Sequence, residues 1–121
     1  MFFLTFHFNL YFLLCMVFFI FNNGWLNNSD NFVIKMSSEY ENTLWQIFSA
    51  YIIPTTNDYL QVDFIDDTEF LNFLKMLTKR SDYNFNTSVS GSDKILTLST
   101  CFNNNDKLVL HAKLIKKEDR N

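Results

Sequence analysis

Glycine, proline, cysteine and histidine are all scarce in this sequence of 121 residues, and their scarcity excludes several classes of protein. Only two glycines and one proline occur, while 48% of the residues are hydrophobic. This composition excludes a collagen-like chain, a low-complexity linker and a disordered tail. The two cysteines allow at most one disulfide, and a four-ligand zinc site would need both histidines as well. We therefore predict neither a bound metal nor a cofactor.

Basic residues are also outnumbered by acidic ones. The chain carries 10 basic against 13 acidic residues, which gives a net charge of −3. A nucleic-acid-binding domain usually presents a basic field to the phosphate backbone, so we predict no nucleic-acid partner. What the chain has in excess is phenylalanine, with 15 residues of this type.

The first 21 residues form an apolar leader, MFFLTFHFNLYFLLCMVFFIF, which precedes the first charged residue, Asp30. This run is long enough to cross a bilayer as a helix, but His7 and Asn9 interrupt it with polar groups. We interpret 1–21 either as a membrane anchor or as a leader without a selected role, produced by a start codon inside a damaged gene. We favour His7 as a stray polar residue of this leader, and the alternative is a catalytic base.

Residues 22–121 have a mixed composition and are expected to form the folded domain. Apolar and β-branched runs predict strands, and one segment with a helical period predicts a helix. The strands are predicted at 32–36, 43–53, 59–64, 94–99 and 107–116, and the helix at 66–80. This order predicts a mostly β domain with one inserted α-helix.

The helix at 66–80 has the clearest local pattern. Asp66 and Glu69 have the spacing of a capping box, and two cations occupy the last turn. The apolar residues that share one face are Phe70, Phe73, Leu74 and Leu77. We interpret this face as core packing and not as a ligand site.

Cys101 ends a strand, in the segment TLSTC at 97–101. A lone cysteine usually fills a core, but a position at a strand end favours exposure. The free thiol has a pKa of about 8.5, so a nucleophile here would need a nearby cation or base.

TLSTC at 97–101, followed by KLVLHAKLI at 107–115, resembles the C-terminal end of a sortase. The string LWQIFSAYIIPTTNDYLQVDF at 44–64 and the helix at 66–80 are similar to class B members of that family. The resemblance covers about 25–115.

The resemblance implies a sortase-type β-barrel and a cysteine transpeptidase on the outer face of the cell membrane of a Gram-positive bacterium. In this family a cysteine, here Cys101, attacks a sorting-signal peptide and forms a thioacyl enzyme. An amine of a cell-wall precursor then resolves the thioester, which attaches the surface protein to the cell wall.

Two positions depart from the family pattern. Lys107 stands where the family's arginine begins the last strand, and lysine keeps the charge but loses the bidentate fork. An ordinary solvated lysine is an equal alternative for this position. The family's histidine should precede the cysteine in a Gly-His context. Phe6 precedes His7, while His111 is expected to be a packed or surface residue of the last strand.

The first strands of the family's barrel have no counterpart in the sequence. We therefore expect a barrel that is incomplete at its N-terminal side, and a strand at 43–53 whose edges lack partners. These departures predict weak or lost transpeptidation. The alternative is a non-catalytic, membrane-associated remnant or peptide-binding module.

Overall fold

The structure is a computed structural model that describes residues 3–7, 32–54, 56, 58–61, 63–101 and 105–120. For 3–7, 100 and 101 it describes the backbone only. Most of the leader at 1–21 and the segment at 22–30 lie outside these residues, so the membrane-anchor interpretation remains a prediction. Across the described part of the chain, no helix combines the length and the apolar character that a membrane span requires.

In the part of the chain that the structure describes, five strands build one sheet with one α-helix against it, which confirms the mostly β class with one inserted helix. The strand in the leader, Phe3–His7, is not among the predicted strands. The strand order is β1-β4-β5-β3-β2, and β1 runs parallel to β4 while the other pairs are antiparallel. The elements are β1 (Phe3–His7), β2 (Val33–Ser37), β3 (Glu41–Pro54), α1 (Asp67–Arg80), β4 (Ile95–Cys101) and β5 (Asp106–Asp119).

The expectation that the strand at 43–53 lacks partners is wrong. β3 pairs with β5 along its whole length and with β2 over 42–46. Its side chains Trp45, Ile47, Phe48 and Tyr51 are at most 3% exposed. Among the described strands it is β1 and β2 that lie outermost, and the described sheet is not closed into a barrel.

The prediction of a strand at 59–64 is also wrong. Asp58–Leu60 is a short 3-10 turn, and Asp63 and Phe64 are irregular. Side-chain contacts, and not a backbone ladder, hold this segment: Tyr59 is fully buried, and the Phe64 ring packs edge-on against Phe70 at 4.9 Å between centroids. Apolar and polar residues can also alternate in a loop that is held by its side chains, because alternate side chains there reach the core.

Both faces of the sheet are buried, and on β4 the buried positions include the hydroxyl residues Thr97 and Ser99 as well as apolar ones. One face packs against α1, and the other contacts the segments that carry Phe32 and Phe85. Members of the α1-side cluster include Phe48, Tyr51, Tyr59, Phe70, Phe73, Leu74, Leu77, Ile95 and Val109.

A β-bulge in β3 adjusts which side chains face α1. The pairing jumps from Ile47↔Ala112 to Ser49↔His111, so Phe48 is the extra residue. As a result Phe48 joins the α1-side cluster, and the neighbouring Ser49 hydroxyl also reaches α1, donating to the carbonyl oxygen of Leu77 at 2.6 Å.

Helix α1 begins at the predicted cap. The Asp66 carboxylate accepts a hydrogen bond from the Glu69 backbone N–H at 2.8 Å. The Glu69 carboxylate reaches back to the N–H of Ile65, one residue before the position that a standard capping box uses. The predicted apolar face is buried, since Phe70, Phe73, Leu74 and Leu77 are at most 6% exposed.

Candidate active site

Cys101 and Lys107 are brought together by the antiparallel pairing of β4 with β5. Cys101 is the last residue of β4, and Lys107 is the second residue of β5. The two form the last pair of the antiparallel ladder that starts at Ile95↔Lys113. The apolar residues near this pair are buried, whereas Ile115 in the far half of β5 is 49% exposed.

A third candidate, His7, is placed at the same edge of the sheet by strand β1. β1 runs parallel to β4, and its last residue, His7, pairs with Ser99. Parallel strands end at the same edge of a sheet, so β1 and β4 deliver His7 and Cys101 to one edge. The two residues are 94 positions apart, and no local pattern links them.

On β4, Ser99 and Thr97 lie two and four residues before Cys101, and both carry buried hydroxyl groups. The Ser99 hydroxyl bonds to the Tyr59 hydroxyl at 2.7 Å, and both side chains are fully buried. The Thr97 hydroxyl bonds to Nδ1 of His111 at 2.8 Å. Sequence reasoning missed these partners, and the signal that could have found them is the alternation of apolar and hydroxyl residues in ILTLSTC.

His111 lies in the middle of this polar network. Its Nε2 bonds to the Tyr51 hydroxyl at 2.8 Å, and the side chain is fully buried. Of the two alternatives expected for this strand residue, packed or at the surface, the structure shows the packed one. Across the described part of the chain, no buried side-chain nitrogen or oxygen lacks a hydrogen-bond partner.

Burial controls the charge of this histidine. Desolvation lowers the pKa of His111 to about 3, and the positive charge of Arg80 contributes to this lowering. The ring is therefore neutral near pH 7, with one nitrogen donating and the other accepting. Because both nitrogens already bond to hydroxyls, His111 is not available as the base for Cys101.

Arg80 joins the end of α1 to the turn that holds Tyr59. Its guanidinium binds both carboxylate oxygens of Asp58, with Nη1 to Oδ1 at 2.8 Å. This bond holds the pKa of Asp58 below its usual value. Burial raises the pKa of Tyr51, and the nearby Arg80 guanidinium opposes that rise. The sequence assigns Arg80 only to the last turn of the helix, because its partner is 22 residues away.

Metal ligands are not assembled in this region. The residues that the structure describes contain no group of three or more His, Cys, Asp or Glu side chains that could hold an ion.

Comparison with known proteins identifies two curated relatives. No protein-family model matches the chain. Sortase B of Staphylococcus aureus is 33% identical over 88 residues, which is 69% of this chain and 36% of that protein. Sortase B of Listeria monocytogenes is 36% identical over 76 residues, 60% of this chain and 31% of that protein. The chain spans about a third of the length of these curated relatives.

Solved structures of sortase B match the fold. A crystal structure of Staphylococcus aureus Sortase B superposes with a TM-score of 0.72 at 28% identity, covering 87% of this chain and 50% of that chain. A sortase B–substrate complex and a sortase B complexed with triglycine match equally well, with TM-scores of 0.71 and 0.72. In sequence and in fold, therefore, this chain belongs to the class B sortase family.

Proposed function

We propose that this chain carries the nucleophile of a sortase-type cysteine transpeptidase, with Cys101 as that nucleophile. The observation that supports the proposal is the placement of three residue types at one edge of the sheet. Cys101 pairs with Lys107 on one side, and the strand of His7 runs parallel to its own strand on the other. A thiol, a cation and an imidazole are the groups that thiol-based acyl transfer requires.

The reaction divides into two acyl transfers. The Cys101 thiolate attacks the carbonyl carbon of a peptide bond, and the C–N bond then breaks to leave a thioester on the enzyme. The departing amine needs a proton, which the imidazolium form of His7 would supply as general acid. An incoming amine then attacks the thioester, gives a proton back to the imidazole and releases the Cys101 thiolate.

Lys107 has two tasks in this scheme. Its positive charge favours the thiolate of Cys101, because an opposite charge at short range stabilises the ionised form. It would also donate a hydrogen bond to the oxyanion of the tetrahedral intermediate. The ammonium group cannot form the two parallel bonds of a guanidinium, so we expect turnover to be weak compared with an enzyme that has arginine here.

The partners follow from the relatives. Sortase B has been solved as a substrate complex and in complex with triglycine. For this chain we propose a sorting-signal peptide as acyl donor and an amine of a cell-wall precursor as acceptor. The corresponding location is the outer face of the cell membrane, where surface proteins are attached to the wall.

The test is to trap the thioester. The full chain is incubated with a sorting-signal peptide and triglycine, and intact-mass spectrometry measures the acyl adduct while chromatography measures the transpeptidation product. We expect a slow reaction with the adduct on Cys101, abolished by Cys101→Ala and retained by the matched control Cys15→Ser. Binding of the peptide without any adduct would instead favour the non-catalytic peptide-binding module.

A further inference from the structure

The imidazole of His111 forms a bridge across the middle of the sheet. His111 is on β5, which lies between β4 and β3. Its Nδ1 bonds to Thr97 on β4 and its Nε2 bonds to Tyr51 on β3, each at 2.8 Å. The backbone ladder ties each strand only to its immediate neighbours, whereas this bridge joins β4 to β3 across β5.

We infer that His111 is a positioning residue for the nucleophile strand, holding the end of β4 that carries Cys101 through its bond to Thr97. The inference rests on the proposed role of Cys101 as nucleophile. It assigns His111 no contact with substrate. The role of the imidazole is to hold β4 and β3 by two hydrogen bonds, which a neutral ring with one donor and one acceptor can form.

The bridge lies on the part of β4 that leads to the nucleophile. The last described pair of the ladder between β4 and β5 is Cys101↔Lys107. Thr97 is four positions before Cys101, and its side chain is fully buried. A side-chain anchor at Thr97 therefore limits how far the strand end can separate from the core.

An ion pair lies near the bridge, towards the surface. Burial raises the pKa of Tyr51, and the positive charge of Arg80 opposes that rise. Arg80 in turn binds Asp58, whose side chain is 48% exposed. The hydrogen bonds of the bridge run from Thr97 through His111 to Tyr51, and a separate ion pair between Arg80 and Asp58 closes α1 onto the turn at 58–60.

The first test measures amide hydrogen exchange of β4 in the full chain. The variants are Thr97→Val, which keeps the side-chain volume, and His111→Leu, and the matched control is Ser49→Ala. Ser49 also loses a buried hydroxyl hydrogen bond, but its partner is the Leu77 carbonyl and not β4. We expect exchange at 98–101 to become at least about tenfold faster in both bridge variants and unchanged in the control. Equal exchange in the bridge variants and the control would overturn the inference.

A second measurement separates positioning from general loss of structure. The pH–rate profile of Cys101 alkylation by iodoacetamide, resolved by peptide mapping, gives the apparent pKa of the thiol. We expect that pKa to move towards the free-thiol value of about 8.5 in Thr97→Val and His111→Leu. His111→Gln offers one donor and one acceptor and should restore most of the wild-type profile. Failure of Gln to restore more than Leu does would contradict the bridging role.

Coupling between the two hydroxyls provides an independent check. Tyr51→Phe and Thr97→Val should be non-additive in their effects on exchange when His111 is present, and additive in the His111→Leu background. Additivity in both backgrounds would exclude the bridge. A chain that passes these tests but forms no thioacyl adduct would contradict the proposed transpeptidase function while leaving the positioning role of His111 intact.

Discussion

Cys101 and Lys107 form the last residue pair that the structure describes between β4 and β5. Residues directly opposite each other on antiparallel strands have Cβ atoms about 4.5–5.5 Å apart. A charge at position 107 therefore acts on position 101 at short range. This relationship connects a lysine that looks ordinary in the sequence to the one cysteine in the described part of the chain.

Replacing Lys107 should change acyl transfer more than it changes stability. We expect Lys107→Ala to slow thioester formation by about 10²–10³-fold, the usual cost of losing an oxyanion donor. Lys107→Arg should raise the rate above that of the wild type, because the guanidinium adds a second parallel hydrogen bond. Single-turnover kinetics with a sorting-signal peptide measure both effects. The matched control is Lys113→Ala, since Lys113 lies on the same strand and bonds to the carbonyl of Ser88. Equal rates for the Ala, Arg and wild-type chains would remove Lys107 from the reaction.

His7 should be required as the acid and base of the reaction. We expect His7→Ala to lower turnover by about 10²–10⁴-fold, the range for a general acid–base group, with partial recovery in added imidazole. Thr5→Ala tests whether any change in β1 has the same effect, because Thr5 pairs with Thr97 on the same strand pair. If turnover survives in His7→Ala, another group must transfer the proton. That result would favour the interpretation of His7 as a stray polar residue of the leader.

Stability should depend on pH through His111. Its folded pKa of about 3 lies below the unfolded value of 6.5, so the unfolded chain binds more protons between these limits. The free energy of unfolding is therefore highest above pH 6.5 and falls on acidification, by up to about 1.4 kcal/mol per pH unit. The charged and titratable groups that face the ring are Arg80 of α1, Tyr51 of β3 and Tyr59, whose ring lies edge-on to the imidazole, while Nδ1 bonds to the neutral Thr97 hydroxyl.

Urea titrations between about pH 4.5 and 7.5 measure this dependence, since this window spans most of the histidine transition. The window stays above the range in which Asp58 titrates, because its pKa is held below 3.8. His111→Leu should flatten the pH dependence while Lys113→Ala should leave it unchanged. An identical slope for His111→Leu and the wild type would show that the buried imidazole is not the source.

The N-cap of α1 offers a test of the fold that is independent of the site. Asp66→Ala removes the acceptor of the Glu69 N–H and should lower the free energy of unfolding by about 1 kcal/mol. Asp67→Ala, one position along and exposed, removes the same charge near the helix terminus without removing the cap, and should cost less. Equal losses would attribute the effect to charge and not to the capping bond. Chemical denaturation followed by circular dichroism measures both variants.

Local features of this protein follow from residue order alone. The period of the segment at 66–80 specified a helix, its cap and its buried face, because these depend on residues three and four positions apart. Apolar and β-branched runs located β3, β4 and β5, and the end of one such run placed Cys101 at a strand end, with Lys107 at the start of the next strand. The mostly β class with one helix followed from the same patterns.

Tertiary packing selects which distant residues meet. The segment at 59–64 alternates like a strand, but the fit of Tyr59 against Ser99, 40 residues away, makes it an anchored turn. His111 meets Thr97 across 14 residues and Tyr51 across 60, and Arg80 meets Asp58 across 22. The parallel pairing of β1 with β4 brings His7 to the edge of Cys101. Contacts over such distances depend on which strands become neighbours, and a sequence pattern that repeats every two or four residues carries no information about that choice.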